Sequence, residues 1–240
     1  MSDTKAETKT IAVYAPSAPY LEPYFQRGLG DVELVFQSDG IPDLEGADYA
    51  VMISSTDVYG NPPLPWQKDA DSRGWTEMED AFARSAVRAR LTHSVLRCPP
   101  VVCTGMQGFC RSLVGRVNNG MFFHVPGLSP KLSVVHAVDI ARAAGLLSDR
   151  GVDGKVFDVT DGVNPTIDDL AEAFAFRLDD KRIGELKPML AKFMMGLRYC
   201  RRLAAGLPEY SCSPLVEECG FEPTSVVEYL RTHDYGENSL

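Results

Sequence analysis

Apolar residues recur along this chain in two rhythms that mark alternating strands and helices. TIAVYA (residues 10–15) is a short β-rich run ending at Pro16, and VELVFQS (32–38) is a second. Between them PYLEPYFQRGLG predicts a short helix that stops near Gly28 or Gly30, with Pro23 limiting its length. DGIPDLEGA, dense in Gly, Pro and Asp, is a loop leading to a third run, YAVMISS. Residues 61–75, NPPLPWQKDADSRGW, read as an irregular surface loop. TEMEDAFARSAVRARL (76–91) has a threonine cap, an acidic first turn and basic last turns, the marks of a helix.

The same alternation continues. HSVLRCPPVVCTG gives a fourth strand that Pro99 and Pro100 make irregular or edge-like. GFCRSLVGRVNNG is helical and ends at an Asn-Asn-Gly turn, KLSVVH (131–136) is a strand, and residues 138–147 are a helix. KVFDVTDG is a further strand, and PTIDDLAEAFAFRL a helix with Thr166 at its start. Residues 181–206 form a basic amphipathic stretch, followed by a Pro-rich loop and a short final helix. Strands alternating with helices imply the α/β class, a mostly parallel sheet covered on both faces.

Composition narrows the partners. A net charge of −9 over 240 residues argues against nucleic-acid binding, which needs a basic surface. Neither a secretory signal nor a transmembrane segment is visible in the apolar pattern. Six cysteines lack C-x-x-C spacing, so reduced thiols in a cytoplasmic protein are expected, and no metal site.

Chemistry concentrates around ISSTDVYG (53–60), where an apolar strand runs into hydroxyls. Four segments in order resemble the extended short-chain dehydrogenase/reductases, the NAD-dependent epimerase and dehydratase group. SSTDVYG resembles the end of the strand that carries the family's catalytic Ser or Thr. LRCPPVVCTG resembles its "LRP-x-x-VYGP" element, with Cys103 in place of the usual tyrosine. LSVVHAVDIARA resembles "HV-x-D-x-A-x-A", with His136 and Asp139 in place, and KVFDVTDGVNPTIDDLAEAF resembles "YNV-x-x-G-x-x-x-T-x-x-EL". ECGFEPTSVVEYL is similar to the family's "LGF-x-P" ending.

The resemblance implies a truncated Rossmann-like domain at 10–105 after a flexible tail at 1–9. A small, mainly helical C-terminal lobe would span 106–240, with the 132–160 segment returning to the sheet. It implies NAD or NADP as cofactor and a small-molecule or nucleotide-sugar ligand, with a homo-oligomer a further possibility. Carried onto this chain, Ser17, Asp39, Ser54 and Pro99 would meet the cofactor. Thr56, Tyr59, Thr104 and Arg198 would meet the substrate, and Ser55, Asp80 and Arg84 would stand at the catalytic positions.

Two departures bear on activity. The family's G-x-x-G-x-x-G turn lets the backbone approach a pyrophosphate at a helix N-terminus. Here the junction reads APSAPYLEPYF, with no glycine and three prolines that remove N–H donors. The family's Tyr-x-x-x-Lys pair, in which the lysine helps form a phenolate base, is replaced by Asp80 and Arg84. These two also read as a surface i,i+4 pair, Asp39 as a loop-start carboxylate, and Ser54 to Thr56 as turn hydroxyls.

Three functions follow as expectations. The first is a degenerate family member that binds a ligand or regulates without redox chemistry. The second is an NAD(P)-dependent epimerase, dehydratase or reductase with unusual residues. The third is an interaction module that uses 181–206 as a basic amphipathic helix.

Overall fold

The computed structural model describes residues 8–40, 44–67 and 71–232, and of Arg198 and Tyr199 the backbone alone. Arg198, one of the expected substrate contacts, therefore has a side chain outside the described set, as does the whole of His233.

The chain opens with β1 (Thr10–Tyr14), a 3-10 turn (Pro19–Leu21) and α1 (Glu22–Gly28). It continues through β2 (Glu33–Gln37), β3 (Tyr49–Ser55), a second 3-10 turn (Thr56–Tyr59) and α2 (Ser72–Ala89). Next come β4 (His93–Cys98), β5 (Val101–Val102), α3 (Gly108–Asn118) and β6 (Phe123–His124). Then follow β7 (Val135–His136), α4 (Ala137–Arg150), β8 (Lys155–Asp158) and α5 (Ile167–Arg177). The last part holds β9 (Gly184–Glu185), α6 (Pro188–Met195), α7 (Leu197–Ala204), α8 (Ser213–Cys219) and α9 (Val226–Thr232).

Five strands form one parallel sheet in the order β2-β1-β3-β4-β8. The inner strands are apolar on both sides because helices cover both faces. Ile11, Val13, Val51 and Ile53 point into the larger core with Phe25 of α1 and Ile140 and Ala144 of α4. Their neighbours Ala12, Tyr14, Ala50 and Met52 point the other way, onto Phe82 and Ala86 of α2. The period of two in each strand therefore feeds two separate hydrophobic layers. Gly28 allows α1 and α4 to approach closely, since a Cβ there would stand 2.9 Å from the Ala141 Cβ.

Several expectations change. The helix expected from Thr76 starts at Ser72, because the Asp71 carboxylate caps it by accepting the Gly74 N–H at 2.9 Å. Thr76 instead sits one turn inside, donating its hydroxyl to the Ser72 carbonyl. The fourth strand is not at an edge: β4 pairs with both β3 and β8. Its prolines follow the last ladder residue, Cys98, so they break the strand without removing a ladder donor. Of KLSVVH only Val135 and His136 are strand, in a two-residue ladder with β5. The amphipathic stretch is not one helix, since Gly196 (φ 87°, ψ 141°) divides α6 from α7. That backbone conformation is open to glycine alone.

Residues 155–158 return to the main sheet as β8. Two buried carboxylates order the C-terminal half, one on α4 and one in the loop after β8. Asp139 accepts the Thr224 N–H at 2.7 Å and pairs with Arg142 at 2.8 Å. Asp161 accepts the N–H groups of Val163 and Asn164 at 3.1 and 3.0 Å. His136 is buried and caps α4 by accepting the Val138 N–H. The HAVDIARA segment is thus architectural.

Candidate functional site

In this strand order the chain moves outward from β1 to β2 and then crosses back to β3. In open α/β sheets the crevice at such a switch point, outside the carboxyl ends of the strands, is where ligands bind. A cleft of about 280 Å³ lies there. Ser17 and Tyr20 line it beyond β1, Ser54, Ser55, Thr56 and Asp57 at the end of β3, and Pro99 beyond β4. Trp75 of α2 and Ser133 and Tyr210 from the C-terminal half close it. Five of the sequence-derived positions, Ser17, Ser54, Ser55, Thr56 and Pro99, thus share one cavity at the carboxyl end of the sheet.

The other positions lie elsewhere. Asp39 is exposed past the end of β2, and its backbone carbonyl accepts the Gln37 amide. Thr104 is exposed on the turn after β5, where its N–H donates to the Tyr24 hydroxyl at 2.9 Å. Asp80 and Arg84 are exposed on the outer face of α2, away from the cleft lining. The helix instead turns Trp75, Glu79, Phe82 and Ala86 inward. The inward i,i+4 pair at the cleft end of α2 is therefore Trp75 and Glu79.

Glu79 organises a network that motif reading missed. Ser54 donates to its Oε1 at 2.6 Å, and Arg97 of β4 grips both oxygens at 3.0 and 2.7 Å. This two-bond grip holds the Arg97 guanidinium charged more firmly than usual. The guanidinium also lies over the Tyr59 ring, 5.0 Å from its centroid. Tyr59 donates its hydroxyl to Asp158 Oδ1 at 2.8 Å and stacks on Tyr210. Tyr210 in turn accepts from the Asn61 amide at 3.0 Å, and its N–H donates to Ser133 Oγ at 2.7 Å. Tyr59, expected to meet substrate, is a pillar between β4, β8 and the C-terminal half.

The sequence does carry a signal for this network. Glu79 is a carboxylate on the apolar stripe of α2, and Arg97 is a cation inside the apolar run of β4. Two opposite charges at positions that should be buried are expected to find each other.

The hydroxyl at the end of β3 is also engaged. Ser55 Oγ accepts the Asp57 N–H at 3.1 Å and so caps the 3-10 turn. Burial raises the Asp57 carboxyl above its ordinary range, with Asp71 adding to this and a bond from Ser55 opposing it. Burial likewise pushes the phenols of Tyr20 and Tyr59 upward, away from the phenolate form. α2 carries no tyrosine and no lysine.

The β1–α1 junction can be tested directly as a pyrophosphate cradle. Pro16 and Pro19 have no N–H. The Ser17 N–H donates to the Ser38 carbonyl at 3.1 Å, and the Ala18 N–H to the Ala15 carbonyl at 3.0 Å. Ser17 itself holds a left-handed φ of 57°. Residues 16–19 thus present no free backbone donor, and they do not fit a dinucleotide diphosphate. Among the described residues that line the cleft no side chain is cationic, and no group of three His, Cys, Asp or Glu side chains suits a metal ion.

No family model and no curated protein matches this sequence. Solved structures do. A nucleoside-diphosphate-sugar epimerase from Pseudomonas aeruginosa is 16% identical with a TM-score of 0.61, over 92% of this chain and 95% of that one. The Bordetella bronchiseptica enzyme WbmF, in complex with NAD⁺ and UDP, is 13% identical with a TM-score of 0.61, over 93% and 91%. A UDP-glucose 4-epimerase from Thermotoga maritima, solved with UDP-glucose, is 15% identical with a TM-score of 0.59, over 92% and 96%. The chain shares the Rossmann-like fold of these epimerase-type short-chain dehydrogenases/reductases, and at such identities the likeness is one of fold.

Proposed function

We propose that this protein is a ligand-binding or regulatory form of the epimerase fold that does not carry out nicotinamide redox chemistry. The observation that carries the reading is the β1–α1 junction. Two prolines and two internally bonded N–H groups stand where a dinucleotide needs free donors. The phenols in and beside the cleft agree. Epimerase-type proton transfer needs a phenol made acidic by a neighbouring cation, whereas Tyr20 and Tyr59 are displaced in the opposite direction.

The ligand class follows from the cleft lining. Hydroxyls and amides of Ser17, Thr56, Asn61 and Gln67 offer neutral hydrogen bonding, and Trp75 and Tyr210 offer aromatic faces. Asp57 is the one charged side chain among the described lining residues. Such a surface suits a small polar molecule without phosphate, because a desolvated phosphate needs cations or free N–H groups. The volume lies near the lower end of small-molecule sites, which run from about 300 Å³.

Calorimetric titration of NAD⁺, NADH, NADP⁺ and NADPH into nucleotide-free protein tests this reading. No binding up to millimolar concentration is expected. Micromolar binding of any of the four would overturn it in favour of an active NAD(P)-dependent enzyme on a nucleotide-sugar-like substrate. Trp75 in the cleft wall offers a fluorescence signal for screening unphosphorylated sugars and polyols.

A further inference from the structure

The helix pair α6–α7 presents a surface that the fold itself does not use. Its inner side docks on a small cluster: Ala191 and Cys200 are buried there with Val125 and Leu186, and Met195 packs beside them. Leu203 is buried in the main core. The opposite side of α6 is also apolar. Met189 is 85% exposed and Phe193 88%, and Leu190, Met194 and Leu197 are exposed beside them. Within α6, positions 189, 190, 193 and 194 fall on one outward face, with 191 and 195 turned the other way, and Leu197 is exposed at the start of α7. A helix that is apolar on both sides is expected deep in a core, yet this one stands at the surface. Large side chains exposed this far and next to one another mark a contact surface.

Charge indicates what covers it. Residues 181–206 hold seven basic residues and one acidic residue, a net of +6 in a chain whose total is −9. The remainder therefore carries −15. Lys187, Lys192 and Arg201 are exposed, and none of them has an ion-pair partner among the described residues. An isologous contact between two copies would press these unpaired cations together. A sheet of negative charge with an apolar interior meets both halves of the surface at once. Basic residues beside Phe, Leu and Met are the composition of helices that lie in a membrane interface, their apolar face reaching about 5–10 Å into the headgroup boundary.

We propose that α6–α7 is a membrane-surface anchor that docks the protein on anionic lipid bilayers, with Met189 and Phe193 as the inserting side chains and the flanking Lys and Arg residues at the headgroups. Gly196 has a structural part in this, because its backbone conformation ends α6 and restarts the chain as α7. The −15 remainder would be repelled by the same surface, so it orients the molecule with this face down. The anchor is independent of what the cleft binds.

Cosedimentation of the full chain with phosphatidylcholine vesicles, with and without phosphatidylserine, tests the proposal. Binding is expected with phosphatidylserine and is expected to weaken as salt is raised. A Met189→Ser/Phe193→Ser double variant is expected to bind at least about tenfold more weakly, because it removes the two large apolar side chains that insert. A Lys187→Glu/Lys192→Glu double variant is expected to lose about tenfold or more. All four positions are exposed, so the thermal midpoint should remain that of the parent and the loss can be assigned to the surface. Failure of the folded parent to bind phosphatidylserine vesicles would overturn the proposal and direct attention to an acidic protein partner. So would binding that neither double variant alters. Concentration-dependent dimerisation abolished by the Ser variants would overturn it too, and assign the face to a second copy of this chain.

Discussion

The Glu79–Arg97 pair makes the sharpest stability prediction. Replacing Glu79 with Ala removes three hydrogen bonds together: both from Arg97 and the one from Ser54. It also leaves the Arg97 guanidinium, whose side chain is 23% exposed, beside Tyr59 with no bonded carboxylate, the Asp158 charge acting on it through space. Breaking a buried ion pair from one side costs about 3–5 kcal/mol. Partial exposure of Arg97 and its stacking on Tyr59 bring the expectation to about 2–4 kcal/mol. Removing both charges is different. In Glu79→Met/Arg97→Met the site becomes apolar, Ser54 loses its hydrogen-bond partner and Tyr59 the guanidinium over its ring, and the cost should fall to about 1–2 kcal/mol. Urea unfolding followed by circular dichroism, on the parent, Glu79→Met, Arg97→Met and the Glu79→Met/Arg97→Met double variant, closes the cycle, with Glu79→Ala measured beside them. The expected coupling is at least about 1.5 kcal/mol, so the two single costs should add to more than the double cost. Additive costs, or a Glu79→Ala loss below about 1 kcal/mol, would refute the view that this pair fastens α2 to β4 beneath the cleft.

Three other outcomes follow from the same contacts. Burial raises the carboxyls of Asp139, Asp158 and Asp161; the native state then holds more protons than the unfolded chain, and stability falls as pH rises from the unfolded values through the raised native ones. The urea midpoint should therefore hold or rise on going from pH about 7 to about 5, and a steady fall over that interval would count against the assignment. All six cysteines are buried as free thiols, and burial pushes Cys103 up to about 12; a thiol reagent should label none within minutes in the native protein and all six after denaturation. Gly28→Val should cost about 1–3 kcal/mol, because even a Cβ at that position would meet Ala141 at 2.9 Å; a midpoint equal to the parent's would show that α1 and α4 can separate.

How much of this was legible in the sequence depended on whether the signal was local. The bounds of β3 could be read because an apolar run of five ends in hydroxyls, and the run lies at the centre of the sheet. The start of α5 could be read because Thr166 and Asp169 form a reciprocal cap, each accepting from the other's backbone. Capping failed at α2, where Thr76 and Asp71 are both good cap residues and the helix uses Asp71, one turn earlier. Long-range pairing was not legible at all. Tyr59 meets Asp158 across 99 residues, and Asn61 meets Tyr210 across 149. Those contacts depend on strand order, which no periodicity encodes. The stretch 181–206 misled because its composition suits one long helix, while a single glycine redirects the chain.

The phase of α2 also bears on whether a phenol–ammonium pair could be placed in the cleft simply. A Tyr and a Lys placed at positions 80 and 84 would point to solvent, because those positions are exposed while Glu79 and Phe82 face the sheet. A phenol–ammonium pair could reach the cleft only from the inward positions 75 and 79. Glu79 already serves there as the anchor for Arg97 and Ser54, so a lysine at 79 would set two cations against each other at the end of β4. The cofactor end presents a separate obstacle. Freeing the Ser17 and Ala18 N–H groups would undo the bonds that tie the β1–α1 junction to Ser38 and Ala15. Each end of the cleft is thus held by contacts that stabilise the fold, and a change that restored one element of the chemistry would weaken the structure supporting it. That coupling between stability and the altered site is why the ligand-binding reading is preferred to an enzyme lacking only a side chain or two.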